Sequence, residues 1–180
     1  RIGEVMAYEL SKDLKYRNIE IQTPLGIKKT TEIEDQLVLC SILRAGLPLH
    51  LGFLNYFDSA ENGFVSAYRH HPNNDEFFDI LVEYQAVPNI ENKTLLLIDP
   101  MLATGQSMVA VFNKLMEKGL PKEIHIAVII AAPEGIAYLE KYLPDSCHLW
   151  VATLDEKLND KKYIIPGLGD AGDLAYGNKL

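Results

Sequence analysis

The run Thr94-Leu95-Leu96-Leu97-Ile98-Asp99-Pro100-Met101-Leu102-Ala103-Thr104-Gly105-Gln106-Ser107 decides the reading of this 180-residue chain. Its first five residues have the apolar character of a buried strand. After the loop, Met108, Val111, Phe112, Leu115 and Met116 recur at the spacing of one helix face, and Gly119 and Pro121 stop the pattern. A strand, a loop and a helix start in that order make a place to hold a phosphate. Thr104, Gly105, Gln106 and Ser107 offer two hydroxyls and several unpaired amide N–H groups at the positive end of a helix dipole. Asp99, at the strand's carboxyl end, would repel a phosphate, so its carboxylate suits hydroxyl groups lying beside one, as on a sugar. An ordinary βα turn with a capping residue is the competing reading of the loop. A Walker loop is excluded because no Lys follows the glycine, and a dinucleotide fingerprint needs three spaced glycines.

Strand-like runs recur at Leu37–Ile42, Phe64–Tyr68, Phe78–Tyr84, His125–Ile130 and Leu149–Leu154, and Ile136, Leu139 and Leu143 form a second helical stripe closed by Pro144. Strands alternating with helices predict one α/β domain over residues 1–180, a parallel sheet flanked by helices, with ligands beyond the carboxyl ends of the strands. Two segments depart from the alternation. Residues 64–84 read as a β-hairpin projecting from the sheet, with a mobile polar tip at His70–Glu76. The segment Ile2–Tyr16 reads as a helix, followed by an extended piece through Thr23-Pro24-Leu25-Gly26.

The net charge of −8, with no dense run of Lys and Arg, argues against a nucleic-acid surface. An anionic substrate must then be held by local groups. The longest apolar run, Ile126–Ala132, is too short to cross a bilayer. Cys40 and Cys147 each fall in an apolar strand-like stretch and read as reduced core residues of a cytoplasmic protein. The chain opens at Arg1 without an initiating Met or a signal-like segment, so a leader or its own first residues are expected to be missing.

Arg44 follows an apolar strand and precedes Ala45-Gly46, a position that suits bidentate capture of phosphate oxygens; Arg69 ends the strand Phe64–Tyr68 in the same way. For each, a surface ion pair is the alternative. His70 and His71 do not make a metal site, because neighbours on an extended strand face opposite ways. Near the carboxyl terminus, the stretch from Tyr163 to Asp173 (YIIPGLGDAGD) packs three glycines and two aspartates into seven positions, from Gly167 to Asp173. Close approach of backbone groups to a flat heterocycle is the expected use. A calcium loop is disfavoured by the spacing of the oxygen ligands.

Three blocks, ILRAGL at 42–47, DPMLATGQS at 99–107 and YIIPGLGDAGD at 163–173, give the chain a resemblance to the uracil phosphoribosyltransferases over almost its whole length. Related phosphoribosyltransferases usually carry two acidic residues where this chain has Asp99-Pro100. The resemblance implies a type I phosphoribosyltransferase fold, with the family's amino-terminal segment ahead of Arg1 missing. It implies the substrates uracil and 5-phosphoribosyl 1-diphosphate, the products UMP and pyrophosphate, and Mg2+ as cofactor. Arg44 and Arg69 match arginines that contact the phosphoribosyl diphosphate. Asp99, Pro100, Met101, Leu102 and Ala103, then Thr104, Gly105, Gln106 and Ser107, match the loop that binds its ribose hydroxyls and 5-phosphate. Ile164, Gly169, Asp170 and Ala171 match the segment that reads uracil. Asp170 also matches a contact on the diphosphate side, through magnesium-bound water, with no direct protein ligand to the metal. Arg69, Asp99 and Asp170 are the expected catalytic residues.

The same resemblance implies a homodimer or higher homo-oligomer, leaves GTP as a candidate activator, and gives no role to nucleic acid or membrane. A nucleotide-sensing, RNA-binding regulator of the same fold is the alternative function. Three departures from the family pattern stand out. Gln106 replaces a common second glycine. His70-His71-Pro72-Asn73-Asn74 follows Arg69 where acidic residues are frequent, in a stretch to Asp99 that is a few residues longer. Pro48-Leu49-His50 replaces a more flexible run.

Overall fold

The structure, a computed structural model, describes residues 1–70 and 79–178. Helix α1 (Ile2–Ser11) opens the chain, and β1 (Tyr16–Thr23) and β2 (Gly26–Ile33) pair antiparallel behind it. Then come β3 (Leu37–Leu43), α2 (Leu47–Tyr56), β4 (Glu61–His70), β5 (Asp79–Ala86), β6 (Thr94–Ile98) and the short β7 (Met101–Leu102). Helix α3 (Gln106–Met116), β8 (Glu123–Ala131), α4 (Pro133–Tyr142) and β9 (Cys147–Leu154) complete the main layer. Two short strands, β10 (Lys157–Leu158) and β11 (Ile164–Ile165), pair antiparallel, and α5 (Ala171–Tyr176) closes the described chain.

The main sheet runs β5-β4-β3-β6-β8-β9, parallel throughout except for the antiparallel pair β4–β5. Strand β7 continues the line of β6 along β8. Ile98 lies opposite Ala127 and Met101 opposite Ile130, the same offset on either side of Asp99-Pro100. The break between them is held in place, since the Pro100 carbonyl accepts from Ile129 and Ile130 N–H, both at 3.0 Å.

Alternation along the central strands assigns the two core layers. Val38, Cys40, Ile42, Leu95 and Leu97 meet Met108, Val111, Phe112 and Leu115 of α3 on one face. Leu37, Leu39, Leu96 and Ile98 meet Met6, Leu10 and Phe53 of α1 and α2 on the other. From β3 the chain crosses through α2 to β4 on one side, while from β6 it crosses through α3 to β8 on the other. The strand order therefore reverses between β3 and β6, and the carboxyl ends of these two strands, at Leu43–Arg44 and Ile98–Asp99, border the crevice where open α/β sheets bind ligands.

The flanked parallel sheet and the antiparallel pair β4–β5 match the sequence reading, as does Cys40, a buried free thiol in β3; Cys147, a free thiol in β9, is only half-buried at the margin of the core. The tip expected at His70–Glu76 lies outside the described residues beyond His70. Three boundaries are corrected. The amino-terminal helix stops at Ser11, and Tyr16 already belongs to β1. The extended piece around Pro24-Leu25 is the turn of the β1–β2 hairpin, whose residues are exposed on both faces and therefore carry no apolar alternation to read. Helix α2 was not foreseen, because Leu47–Tyr56 is apolar almost all round and shows no stripe.

Candidate active site

The loop between β6 and α3 is built by three local devices. Gly105 takes the left-handed conformation at φ 77°, immediately before the helix begins at Gln106. Thr104 Oγ1 accepts the Gln106 N–H at 3.4 Å, and Val109 N–H returns to the Gly105 carbonyl at 3.0 Å, so the first-turn amides of Ser107 and Met108 have no partner within the helix. Gly135, in the first turn of α4, packs against the Leu102 and Ala103 carbonyls so closely that a side chain there would collide with both. The result is a cup of about 130 Å³ lined by Asp99, Met101–Gly105, Ser107 and Met108. It has the size and the donor set for a phosphate group with part of a ribose.

Asp99 sits half-buried at the floor, its Oδ1 accepting the Met101 N–H at 3.4 Å. Burial pushes its carboxyl up to about 7, against the opposing pull of the Met101 N–H and with a further push from the Asp170 charge. A carboxylate held in this way is stabilised by any hydroxyl group that donates to it.

The cup opens into a crevice of about 760 Å³ walled by the end of β3 (Leu43, Arg44, Ala45), the start of the β4–β5 arm (Ser66, Ala67, Tyr68), Asp99 and the segment Gly169–Ala171. Arg44 is fixed from the carboxyl-terminal side: its Nη2 donates to Asp173 Oδ1 at 2.7 Å and to the Gly177 carbonyl at 2.5 Å, and its Nε is buried without a partner among the described residues. Asp170 caps α5 by accepting the Asp173 N–H at 2.9 Å. Asp170, α5 and Arg44 are thus one hydrogen-bonded unit. Asp155 steadies the approach to it by accepting the Gly167 N–H at 3.0 Å.

The structure brings Arg44, Asp99, Met101, Ala103, Ser107, Gly169, Asp170 and Ala171 to one crevice. Pro100 and Leu102 are buried supports whose carbonyls bind β8 and the residue after it. Gln106 is the first residue of α3. The Ile164 side chain turns away from the crevice and packs with Ile130 and Ala132, which leaves its backbone for any contact with a ligand. Arg69 lies near the end of β4, opposite Ile80. Sequence reasoning missed Ser66, Tyr68, Lys161 and Lys162, which also line the crevice; no motif marks them, and only the adjacency of the lysines to Tyr163 hinted at their place. Helix α5 was likewise read as a glycine-rich segment rather than a helix start.

Among the described residues no group of three or more His, Cys, Asp and Glu could hold a metal on protein ligands alone. Asp99 and Asp170 line the same space, and the Asp170 charge disfavours ionisation of Asp99, a donor set that suits a hard cation whose other ligands come from a polyanionic substrate.

The uracil phosphoribosyltransferase family model matches residues 1–178. The chain is 52% identical over 180 residues to a uracil phosphoribosyltransferase of Porphyromonas gingivalis, covering all of this chain and 83% of that one. A relative of the same name from Methanothermobacter thermautotrophicus is 40% identical, with 98% of this chain and 80% of the relative covered. Among solved structures, the AQ2163 protein from Aquifex aeolicus superposes with a TM-score of 0.90 at 33% identity, covering 99% of this chain and 84% of that one. A hypoxanthine-guanine phosphoribosyltransferase from Bacillus anthracis shares the fold, with a TM-score of 0.56 at 13% identity over 84% of this chain and 76% of that one. The chain belongs to the uracil phosphoribosyltransferase family and has the fold of a type I phosphoribosyltransferase.

Proposed function

We propose that this enzyme transfers the 5-phosphoribosyl group of 5-phosphoribosyl 1-diphosphate to uracil, releasing UMP and pyrophosphate, as in pyrimidine salvage. The observation that carries the reading is the shared crevice: a phosphate-sized cup, a half-buried carboxylate and the glycine-rich segment Gly169–Ala171 open onto one space at the reversal of strand order. The alternative, a nucleotide-sensing RNA-binding regulator, has no support from the relatives.

The 5-phosphate rests on the first-turn amides of α3 and the hydroxyls of Thr104 and Ser107, and Asp99 accepts hydrogen bonds from the ribose hydroxyls. Backbone groups of Ile164 and Gly169–Ala171 hold uracil with a ring nitrogen toward the anomeric carbon. The bond from that carbon to the diphosphate oxygen breaks as the nitrogen–carbon bond forms, through an oxocarbenium-like state in which negative charge grows on the leaving group, and the proton of that ring nitrogen passes to the departing pyrophosphate. Arg44 and Arg69 stabilise that charge. Asp170, through water, would help to hold a magnesium ion brought in with the diphosphate, and the ion would supply further neutralisation of the leaving group. Closure of the β4–β5 arm would exclude water, the competing acceptor.

Exposed Ile2, Val5 and Tyr8 on α1 beside Leu51 and Tyr56 on α2 support self-association, and a homodimer or higher homo-oligomer is the expected unit. GTP is a candidate activator, and the cytoplasm the expected compartment. Among the described residues no helix is long and apolar enough to cross a membrane.

The test is direct. Radiolabelled uracil with phosphoribosyl diphosphate and Mg2+ should yield UMP and pyrophosphate, and excess chelator should abolish the reaction. No UMP under any of these conditions would overturn the function; full activity in chelator would overturn the role of the metal.

A further inference from the structure

Among the described residues the phosphate cup has no cation of its own: Asp99 is the only one on its wall that ionises, and the chain as a whole carries a net charge of −8. The helix dipole supplies about half an elementary charge against the nearly double charge of a phosphate monoester.

Lys162 stands on both flanks of the loop. It lines the 760 Å³ crevice together with Ala103 and Ser107, and it lines a 400 Å³ hollow on the other side together with Thr104 and Gln106. Its neighbour Lys161 reaches only the crevice, and among the described residues neither lysine is in an ion pair. The acidic groups that face the hollow are Glu134 and Asp160. Glu134 Oε1 already accepts the Leu158 N–H at 3.0 Å.

The backbone adds a second, independent observation. Lys162 has φ 64°, a left-handed conformation that glycine holds with far less strain. The turn is tightly specified: Lys162 N–H donates to the Asn159 carbonyl, Tyr163 N–H to Asn159 Oδ1, and Asn159 N–H to the Tyr163 carbonyl, each at 2.9 Å. A long cationic side chain is therefore kept at a position whose backbone disfavours it, on the wall of the crevice into which the phosphate cup opens. Strain retained at such a place points to use of the side chain.

Resting on the phosphoribosyl-transfer reading above, we propose that Lys162 is a phosphate-binding residue, whose ammonium pairs with the 5-phosphate of phosphoribosyl diphosphate and of UMP held at Thr104–Ser107. The role belongs to binding rather than to the chemical step, because the 5-phosphate carries no charge change during transfer.

The full chain carrying Lys162→Gly, Lys162→Met or Lys162→Arg tests this. Lys162→Gly should raise Tm by about 2–4 °C through relief of the left-handed turn, while raising KM for phosphoribosyl diphosphate about 5- to 20-fold. Lys162→Met should raise that KM equally, and Lys162→Arg should restore it. In all three, kcat and KM for uracil stay within twofold. Calorimetry should show weaker binding of UMP by the same factor, with a shallower dependence on salt. A turn residue with no other role would give the Tm gain and leave KM and UMP affinity unchanged, which overturns the proposal. Failure of the wild-type enzyme to form UMP would instead overturn the underlying function.

Discussion

Arg44 and Asp173 are joined by a 2.7 Å hydrogen-bonded ion pair across a separation of 129 residues, which fastens the end of β3 to α5. Both side chains are about one-third exposed, so the pair itself contributes little stability, about 0.5–1 kcal/mol. Its consequence is positional. The same Asp173 donates its N–H to Asp170, so the Arg44 guanidinium and the segment proposed to read the base are held in one geometry.

Asp173→Asn should therefore raise KM for both substrates, phosphoribosyl diphosphate by about 3- to 10-fold and uracil by less, with a small loss of Tm. Steady-state kinetics with each substrate varied in turn is the measurement. A lower KM for phosphoribosyl diphosphate would show that Asp173 restrains Arg44 rather than positioning it.

The elevated carboxyl of Asp99 gives two pH effects of opposite value to the enzyme. Ribose hydroxyls donate to the ionised form, so kcat/KM for phosphoribosyl diphosphate should rise with pH and level off above about 7, where the free enzyme's Asp99 ionises. Stability runs the other way. The folded-state value lies above the ordinary one of 3.8, so the folded protein binds the proton more tightly than the unfolded chain does, and stability falls as pH rises from about 4 through 7. Asp99→Asn should thus be more stable than the parent at pH 8, by about 1–3 kcal/mol after allowance for the open side of the crevice. The gain should shrink toward pH 4, and phosphoribosyl diphosphate use should be largely lost. Thermal melts at the two pH values decide the first part, and a variant less stable than the parent at pH 8 would refute it.

Much of this site was legible in the chain because its chemistry is local. DPMLATGQS supplies strand end, carboxylate, turn and helix start within nine consecutive residues, and the stripe from Met108 to Met116 fixes the helix that follows. The convergence of Arg44 with Asp173 was not legible, since nothing in either stretch encodes their pairing. Lys161 and Lys162 were missed for a related reason: exposed lysines at a turn carry no period, and their meaning comes only from what the β10–β11 pair brings them beside. The β1–β2 hairpin and α2 escaped because one is exposed on both faces and the other apolar nearly all round, so neither shows the amphipathic pattern that marks an element.

Gly135 offers a test of loop placement at a distance from the substrate. An added Cβ would press on the Ala103 and Leu102 carbonyls, and these backbone atoms cannot move without shifting the cup. Gly135→Ala should raise KM for phosphoribosyl diphosphate about tenfold or more while leaving uracil KM near its parent value, since a displacement of this kind misplaces the 5-phosphate alone. Equal effects on the two substrates would mean that the loop and the base segment move together.

The adjacent pair Gly105 and Gln106 separates backbone demand from ligand demand. Gly105 is left-handed, and a side chain there would also lie 3.0 Å from the Gly135 carbonyl and 3.1 Å from Tyr138 Cδ1. Gly105→Ala should destabilise by about 1–2 kcal/mol and weaken phosphoribosyl diphosphate binding, because the turn that presents the amides is lost. Gln106 is already the first residue of α3 and has no left-handed requirement. Gln106→Gly should cost about 0.5–1 kcal/mol of stability through the added freedom of the unfolded chain and leave affinity nearly unchanged, since a phosphate at a helix N-terminus asks only for exposed N–H groups. Calorimetric titration with phosphoribosyl diphosphate compares the two variants. A tenfold gain in affinity for Gln106→Gly would mean that the glutamine side chain obstructs the cup.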